Sequence, residues 1–234
     1  MAKAPRAGRS KTRLCPPFTP DEARALSAAF IQDITANLAR AAEDAPLAPY
    51  IAFAPAGTEA LFDGLLAPGT GLVLADGAIA APPGVEGFGL SLLHAMQALF
   101  AEGFGGVCVL NSDSPNLPTA VLRDAARRLM APGGEAVLGA AEDGGYYLLG
   151  LRAPHAGMFS DIAWSTEGVA AATRARAAAL GLRLDELPPW YDVDDAASLR
   201  RLLGESGAGP LAPSEAPATR AALARLSAAE RLGA

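Results

Sequence analysis

G-V-C-V-L at Gly106–Leu110, followed at once by N-S-D-S-P at Asn111–Pro115, decides the architecture. Small and apolar residues with no polar alternation describe a strand covered on both faces, as in the interior of a parallel sheet. The abrupt change to polar, turn-forming residues then puts a loop at the strand's carboxyl end, where open α/β sheets bind their ligands. Leu90–Ala101 on one side and Thr119–Met130 on the other read as helices. The chain passes helix, strand, loop, helix around this point.

The same alternation extends in both directions. Thr19-Pro20-Asp21-Glu22 is a helix start, with Thr19 as N-cap, Pro20 at N1 and Glu22 closing a capping box; that helix runs to about Ala42. Strands are expected at Tyr50–Ala54, Gly71–Ala75, Ala136–Gly139, Tyr146–Leu151 and Leu182–Leu187. Further helices are expected over Glu59–Leu66, from a Ser165 or Thr166 cap to Leu180, and over Asp195–Leu203. The Gly/Pro/Ser density of 204–217 reads as a linker, and 218–234 as an Ala-rich C-terminal helix. Strands alternating with helices imply an α/β sandwich with a mostly parallel central sheet.

Composition bounds the function. The chain has 234 residues, 51% hydrophobic and 19% charged, which suits a folded core rather than disorder. A net charge of -6 disfavours a duplex nucleic-acid binder, which normally presents a basic face. No apolar run reaches the roughly 20 residues needed to span a bilayer, and no signal peptide opens the chain, so a cytoplasmic location is expected. Cys15 and Cys108 make no disulfide framework, and Cys108 reads as a core residue of its strand. The two histidines, His94 and His155, offer no zinc cluster.

Both lysines of the protein, Lys3 and Lys11, fall within the first fourteen residues, M-A-K-A-P-R-A-G-R-S-K-T-R-L, together with Arg6, Gly8 and Arg13. Arg offers a planar fork, Lys a mobile point charge, and Gly close backbone approach, a combination suited to phosphate. A frayed, solvated terminus is the plainer alternative. A Walker A loop is excluded, because Pro5 and Ser10 stand where its glycines belong. The dinucleotide fingerprint fails too, since Gly84, Gly87 and Gly89 have the wrong spacing.

Three loops carry acids at strand ends. Asp113, after the central strand, can hold Mg²⁺ or Mn²⁺ with water and phosphate oxygens, or can simply cap the turn before Pro115. Glu142-Asp143-Gly144-Gly145 combines acids with glycines that permit close approach to a ligand or a tight turn. In Asp192-Val193-Asp194-Asp195, alternation points Asp192 and Asp194 to one side, where one can be a second metal ligand; Asp195 suits a helix cap.

The stretches A-K-A-P-R-A-G-R-S-K-T-R-L, N-S-D-S-P-N-L-P, E-D-G-G-Y-Y-L-L-G-L, F-S-D-I-A-W-S-T and D-V-D-D resemble the DUF2064 family over roughly Met1–Leu203. Its members are described as glycosyltransferase-like proteins of the GT-A, nucleotide-diphospho-sugar transferase fold, with relatives of the arsenosugar-biosynthesis glycosyltransferase type. The resemblance implies a three-layer GT-A sandwich and a metal-dependent transfer of sugar from a nucleotide-diphosphate donor to a small-molecule acceptor. Molybdopterin and phospho-lactate guanylyltransferases share the fold, so a nucleotidylyltransferase that releases pyrophosphate from a nucleoside triphosphate is the second reading. A non-catalytic nucleotide-binding protein is the third. Neither the acceptor nor the oligomeric state follows from the sequence.

Under this resemblance Lys3, Arg6, Gly8, Lys11 and Arg13 face the nucleotide phosphates. Asp113 becomes the metal-binding acid, with Asp194 completing the site for Mg²⁺ or Mn²⁺. Asp143 is the candidate general base beside Gly144 and Gly145, and Trp164, Ser165 and Thr166 orient the acceptor. For W-S-T, a buried Trp before an ordinary helix cap is the alternative. Folds of this kind begin with an apolar strand before the phosphate loop, whereas this chain starts inside that loop. The first strand is therefore expected to be missing, and an N-terminal extension of roughly 8 residues, a typical strand length, is expected to add stability. Gly87–Ser91 lacks the acid and base that relatives often carry, and Ala140 stands where they often have Pro.

Overall fold

The structure, a computed structural model, describes residues 1–205, 209 and 211–233. In chain order its elements are β1 (Ala2–Lys3), α1 (Pro20–Ala42), β2 (Tyr50–Ala54), β3 (Gly71–Leu74), α2 (Phe88–Ala101), β4 (Val107–Leu110), α3 (Thr119–Met130), β5 (Ala136–Ala140), β6 (Tyr146–Leu151), α4 (Val169–Ala179), β7 (Leu184–Glu186), α5 (Ala196–Gly204), α6 (Pro217–Arg225) and α7 (Ala228–Leu232). Local chemistry sets several boundaries. Thr19 and Glu22 form the expected capping box at the head of α1. Asp195 caps α5 by accepting from the Ser198 N–H at 2.8 Å.

β1, β2 and β3 are parallel, in the order β1-β2-β3. The second set runs β4-β6-β5-β7, with β6 antiparallel to both β4 and β5. Ala2 and Lys3 lie opposite Phe53 and Ala54, and the α-nitrogen of Met1 donates to Leu110 O at 2.6 Å, which joins the two sets. The expected absence of a first strand is corrected accordingly: the strand is present as two residues. The central strand β4 is also not parallel-paired. Its registered partner is the antiparallel β6, because the tight turn at 141–145 reverses the chain between β5 and β6.

Helices cover both faces, giving three layers. Leu92, Leu93 and Met96 of α2 pack with Val107, Val109, Leu138 and Leu149 on one face. On the other, Leu122, Ala125 and Leu129 of α3 meet Val137, Tyr147 and Leu148, while Ile31 of α1 meets Ile51 and Phe53. Burial of these side chains supplies most of the folding free energy, at roughly 25 cal/mol per Å² of apolar surface.

Two expected helices are shortened. Glu59–Leu66 reduces to a single 3-10 turn, Glu59–Phe62, before Gly64 takes a left-handed φ of 71°. The helix expected from Ser165 or Thr166 starts at Val169 instead. Ser165 is left-handed, at φ 64°, and the Thr166 hydroxyl is engaged by Ala163 O at 2.7 Å. The C-terminal segment forms two helices rather than one, broken at Ser227. Buried Asp33 of α1 accepts from the N–H groups of Ala218 and Thr219 at 2.9 and 2.7 Å, which ties α6 to the main body. Of the expected linker, 206–208 and 210 lie outside the described residues. Among those described, no helix is long and apolar enough to cross a membrane.

Candidate functional site

The loop after β1 folds back over the carboxyl ends of β1, β2 and β4. Ser10, buried, accepts from the Arg6 N–H at 3.1 Å, and Arg6 O receives the N–H groups of Arg9 and Ser10, so the turn closes on itself. Gly8 occupies this turn at φ 70°. Lys11, itself left-handed at φ 50°, sends its side chain inward, where only 7% of it is exposed. There its Nζ lies 2.5 Å from Asp113 Oδ1 and 2.9 Å from Asp194 Oδ1, and donates to Val193 O at 2.8 Å. Arg13 pairs with the other oxygen of Asp194. Three stretches far apart in the chain thus meet on one ammonium.

The acids are held by backbone as well as by charge. Val193 N–H donates to Asp113 O at 2.7 Å, which fastens the loop after β4 to the segment before α5. Asp192 lies behind them, accepting from Asn111 Nδ2 at 2.6 Å and Ser114 Oγ at 2.8 Å. Burial pushes its carboxyl up to about 6, with repulsion from Asp113 and Asp194 adding to the rise and the Ser114 and Asn111 hydrogen bonds opposing it. From an ordinary value of 3.8, the folded chain therefore holds a proton between pH 3.8 and about 6 that the unfolded chain has released. Stability must fall as pH rises through that window, with the full cost present above it. Asp192→Asn keeps an acceptor for both donors and removes the cost. We expect the variant to be more stable than wild type at pH 8 by at most about 3 kcal/mol, and far less so at pH 4. Denaturant unfolding at both pH values checks this; an equal difference at both would refute the linkage.

One cleft runs across this centre. A lobe of about 380 Å³ is bounded by Lys3, Arg9, Lys11, Arg13, Ser91 and Asp113, with Phe53 and Ala54 of β2 beneath. A second lobe of about 840 Å³ shares Arg13, Phe88, Asn111 and Asp113, and continues to Asp143, Gly144, Gly145, Trp164, Ser165 and Thr166. Phe88 stands half exposed between the lobes, edge-on to Trp164 with ring centroids 5.6 Å apart. Asp143 is exposed and accepts from the Gly145 N–H at 2.9 Å through Oδ1. Neighbouring Glu142 is held below the usual carboxylate range by Arg201, a bidentate pair at 2.6 and 3.0 Å. The Tyr146 hydroxyl, on the wall of the second lobe, is buried without a hydrogen-bond partner among the described residues.

The cleft therefore gathers Lys3, Lys11, Arg13, Asp113, Asp194, Asp143, Gly144, Gly145, Trp164, Ser165 and Thr166 of the expected residues. Arg6 and Gly8 shape the turn but do not line it. Arg9, Asn111 and Asp192 belong to it without having been singled out as site residues. Arg9 lies in the same cationic loop, and Asp192 was visible as one of the alternating acids. As to a metal, two carboxylates converge on one cation position. Among the described residues no group of three or more His, Cys, Asp or Glu side chains is arranged to hold an ion. That donor set suits Mg²⁺ or Mn²⁺ completed by water and phosphate oxygens, and does not suit a closed structural site.

A three-layer α/β sandwich with a cationic loop and acids at the sheet's carboxyl edge defines a protein of the nucleotide-diphospho-sugar transferase fold. The solved structure of a protein from Desulfovibrio desulfuricans G20, provisionally described as a nucleotide-diphospho-sugar transferase, superposes with a TM-score of 0.78 at 28% identity, covering 97% of this chain and 93% of that one. Residues 37–166 match the family described as "Uncharacterized protein conserved in bacteria (DUF2064)", and the chain belongs to that family. No curated protein matches it.

Proposed function

We propose that the cleft transfers a sugar from a nucleotide-diphosphate donor to a small-molecule acceptor. The observation that carries this reading is the convergence of Lys11, Arg13, Asp113 and Asp194 at the junction of the two lobes, where a diphosphate would bridge donor and acceptor sides. Breaking the bond from sugar to diphosphate loads negative charge onto phosphate oxygens. Lys11 and Arg13 meet that charge as donors; removing one such donor typically costs about 10² to 10³ in rate. Mg²⁺ or Mn²⁺ on Asp113, with Asp194, would supply further charge stabilisation. Lys11 must then release its carboxylates to face phosphate, a short swing for a side chain already beside both.

Asp143 takes the part of general base toward the acceptor hydroxyl. Its Oδ1 is oriented by the Gly145 N–H, which leaves Oδ2 for a proton. Trp164 offers an apolar face to the acceptor, and the Ser165 hydroxyl a polar contact.

The test is product release with Mg²⁺ or Mn²⁺ across a panel of nucleotide sugars and nucleoside triphosphates, with mixed hydroxyl and phosphate acceptors. Nucleoside diphosphate from a sugar donor, lost in Asp113→Ala, is the expected result. Pyrophosphate from a triphosphate would assign a nucleotidylyltransferase instead. Metal-dependent nucleotide binding without any product would make the protein a binder.

A further inference from the structure

The two lobes of the cleft carry opposite charge. The first gathers Lys3, Arg9, Lys11 and Arg13 against Asp113 and Asp194. Among the described residues that line the second, Arg13 is the only basic one, set against Asp113, Glu142, Asp143, Glu167 and Asp192. Arg13 is moreover paired already with Asp194. Most of the acids are engaged as well: Asp113 holds Lys11, Glu142 holds Arg201, Asp192 accepts from Asn111 and Ser114, and one oxygen of Asp143 accepts from Gly145. Glu167 differs. It is exposed, and its carboxylate makes no hydrogen bond or ion pair among the described residues. Its backbone is nevertheless fixed, packed so closely on the turn at Gly144 that a Cβ there would overlap the Glu167 carbonyl. Glu167 is thereby held beside the turn that carries Asp143.

Three aromatic side chains share this lobe. Phe88, half exposed, stands edge-on to Trp164, which is edge-on to Tyr146 with ring centroids 6.4 Å apart. Gly89, in the first turn of α2, makes room for the indole, since a Cβ there would stand 3.0 Å from Trp164 Nε1. The Tyr146 hydroxyl is buried with no partner among the described residues. Ring faces attract cations through their quadrupole. A primary ammonium has three N–H donors and no acceptor, so it matches a free carboxylate and a hydroxyl lone pair. A phosphate or carboxylate brings acceptors only, and like charge against five acids.

We propose that the second lobe binds a primary amine, with Glu167 as its counter-charge and Phe88 and Trp164 as its aromatic wall. The acceptor is then a hydroxylated amine and not a phosphorylated or carboxylated compound. Its role as acceptor rests on the transferase reading above; the lobe's preference for an amine does not. Phosphate is drawn to the lobe where cations gather and ammonium to the lobe where acids do, so donor and acceptor are sorted by charge. Oδ2 of Asp143 remains for the acceptor hydroxyl, because the ammonium is met by Glu167.

Calorimetric titration at pH 7 tests this with three probes on one framework: glucosamine, glucose and glucose 6-phosphate. We expect wild type to bind glucosamine at least about tenfold more tightly than glucose, the factor that an ion pair joined to a cation–π contact supplies. Glu167→Gln should bring the two within about threefold. Glu167→Lys should weaken glucosamine further and strengthen glucose 6-phosphate, whereas phosphate held in the first lobe responds to neither change. Because Glu167 is exposed, both variants should melt as wild type does. Equal affinity for glucosamine and glucose in wild type, a preference unaltered by Glu167→Gln, or no binding of glucosamine would overturn the proposal. Binding is read without turnover, so an amine preference with no sugar transfer would sink the transferase reading and leave this one standing.

Discussion

Asp113→Ala is expected to lower kcat/KM for nucleoside diphosphate release by at least about 10³, with little change in folding stability. The carboxylate is the one side chain common to both lobes that contacts Lys11 and can carry a divalent ion. On the proposed function, its removal takes away the holder of a divalent ion that would balance phosphate charge in the transition state, where single donors alone are worth about 10² to 10³. Stability is spared for a local reason. The loop is anchored by the Val193 N–H to Asp113 O bond, which the substitution leaves in place, and Lys11 keeps Asp194 and Val193 O. The buried ammonium of Lys11 is thus not left without a counter-charge, because Asp194 stays 2.9 Å away. Steady-state kinetics beside thermal melting separates the two effects. Activity within tenfold of wild type would remove Asp113 from the reaction.

Gly144→Ala is expected to act the other way, chiefly on folding. Gly144 has φ 89°, where L side chains are strained, and a Cβ there would overlap the carbonyl oxygen of Glu167. That neighbour is backbone and cannot rotate away. The position is also tied on both sides, with Gly144 N–H donating to Ala141 O at 3.1 Å and Ala170 N–H to Gly144 O at 2.9 Å. Strain and overlap together should cost about 3–5 kcal/mol, or about 10 °C in Tm for a chain of this size. Gly145→Ala is the control. Its Cβ would stand 3.1 Å from the Asp143 carboxylate, a side chain that can give way, so it should fold nearly as wild type while displacing Asp143 and lowering turnover. Similar melting temperatures for the two variants would show that the close approach at Gly144 is not required.

Much of the fold was legible in local signals. The capping box at Thr19 and Glu22, the apolar run of β4 and the Asp195 cap are each written within a few residues, and each appears in the structure. The family motifs led to most of the cleft. Other features were out of reach. The Thr166 hydroxyl reads as a helix cap from spacing alone, and only the backbone path after Trp164 diverts it to Ala163 O. Arg6 has the composition of a phosphate ligand, yet its own carbonyl and N–H close the turn that points Lys11 inward.

By itself the sequence determined the alternation of helices and strands, and with it the class of fold and the loops at which acids and cations stand. Hydrophobic period and capping are short-range, so they survive in a one-dimensional record. Tertiary structure alone decided which of those groups meet. Lys11 reaches Asp194 across 183 residues of chain, β4 takes its antiparallel partner from a hairpin some thirty residues on, and Asp192 becomes a raised acid because burial, with the nearby carboxylates of Asp113 and Asp194, outweighs the hydrogen bonds from Asn111 and Ser114. Distances, burial and field depend on how layers pack, and no local pattern encodes packing between segments that far apart.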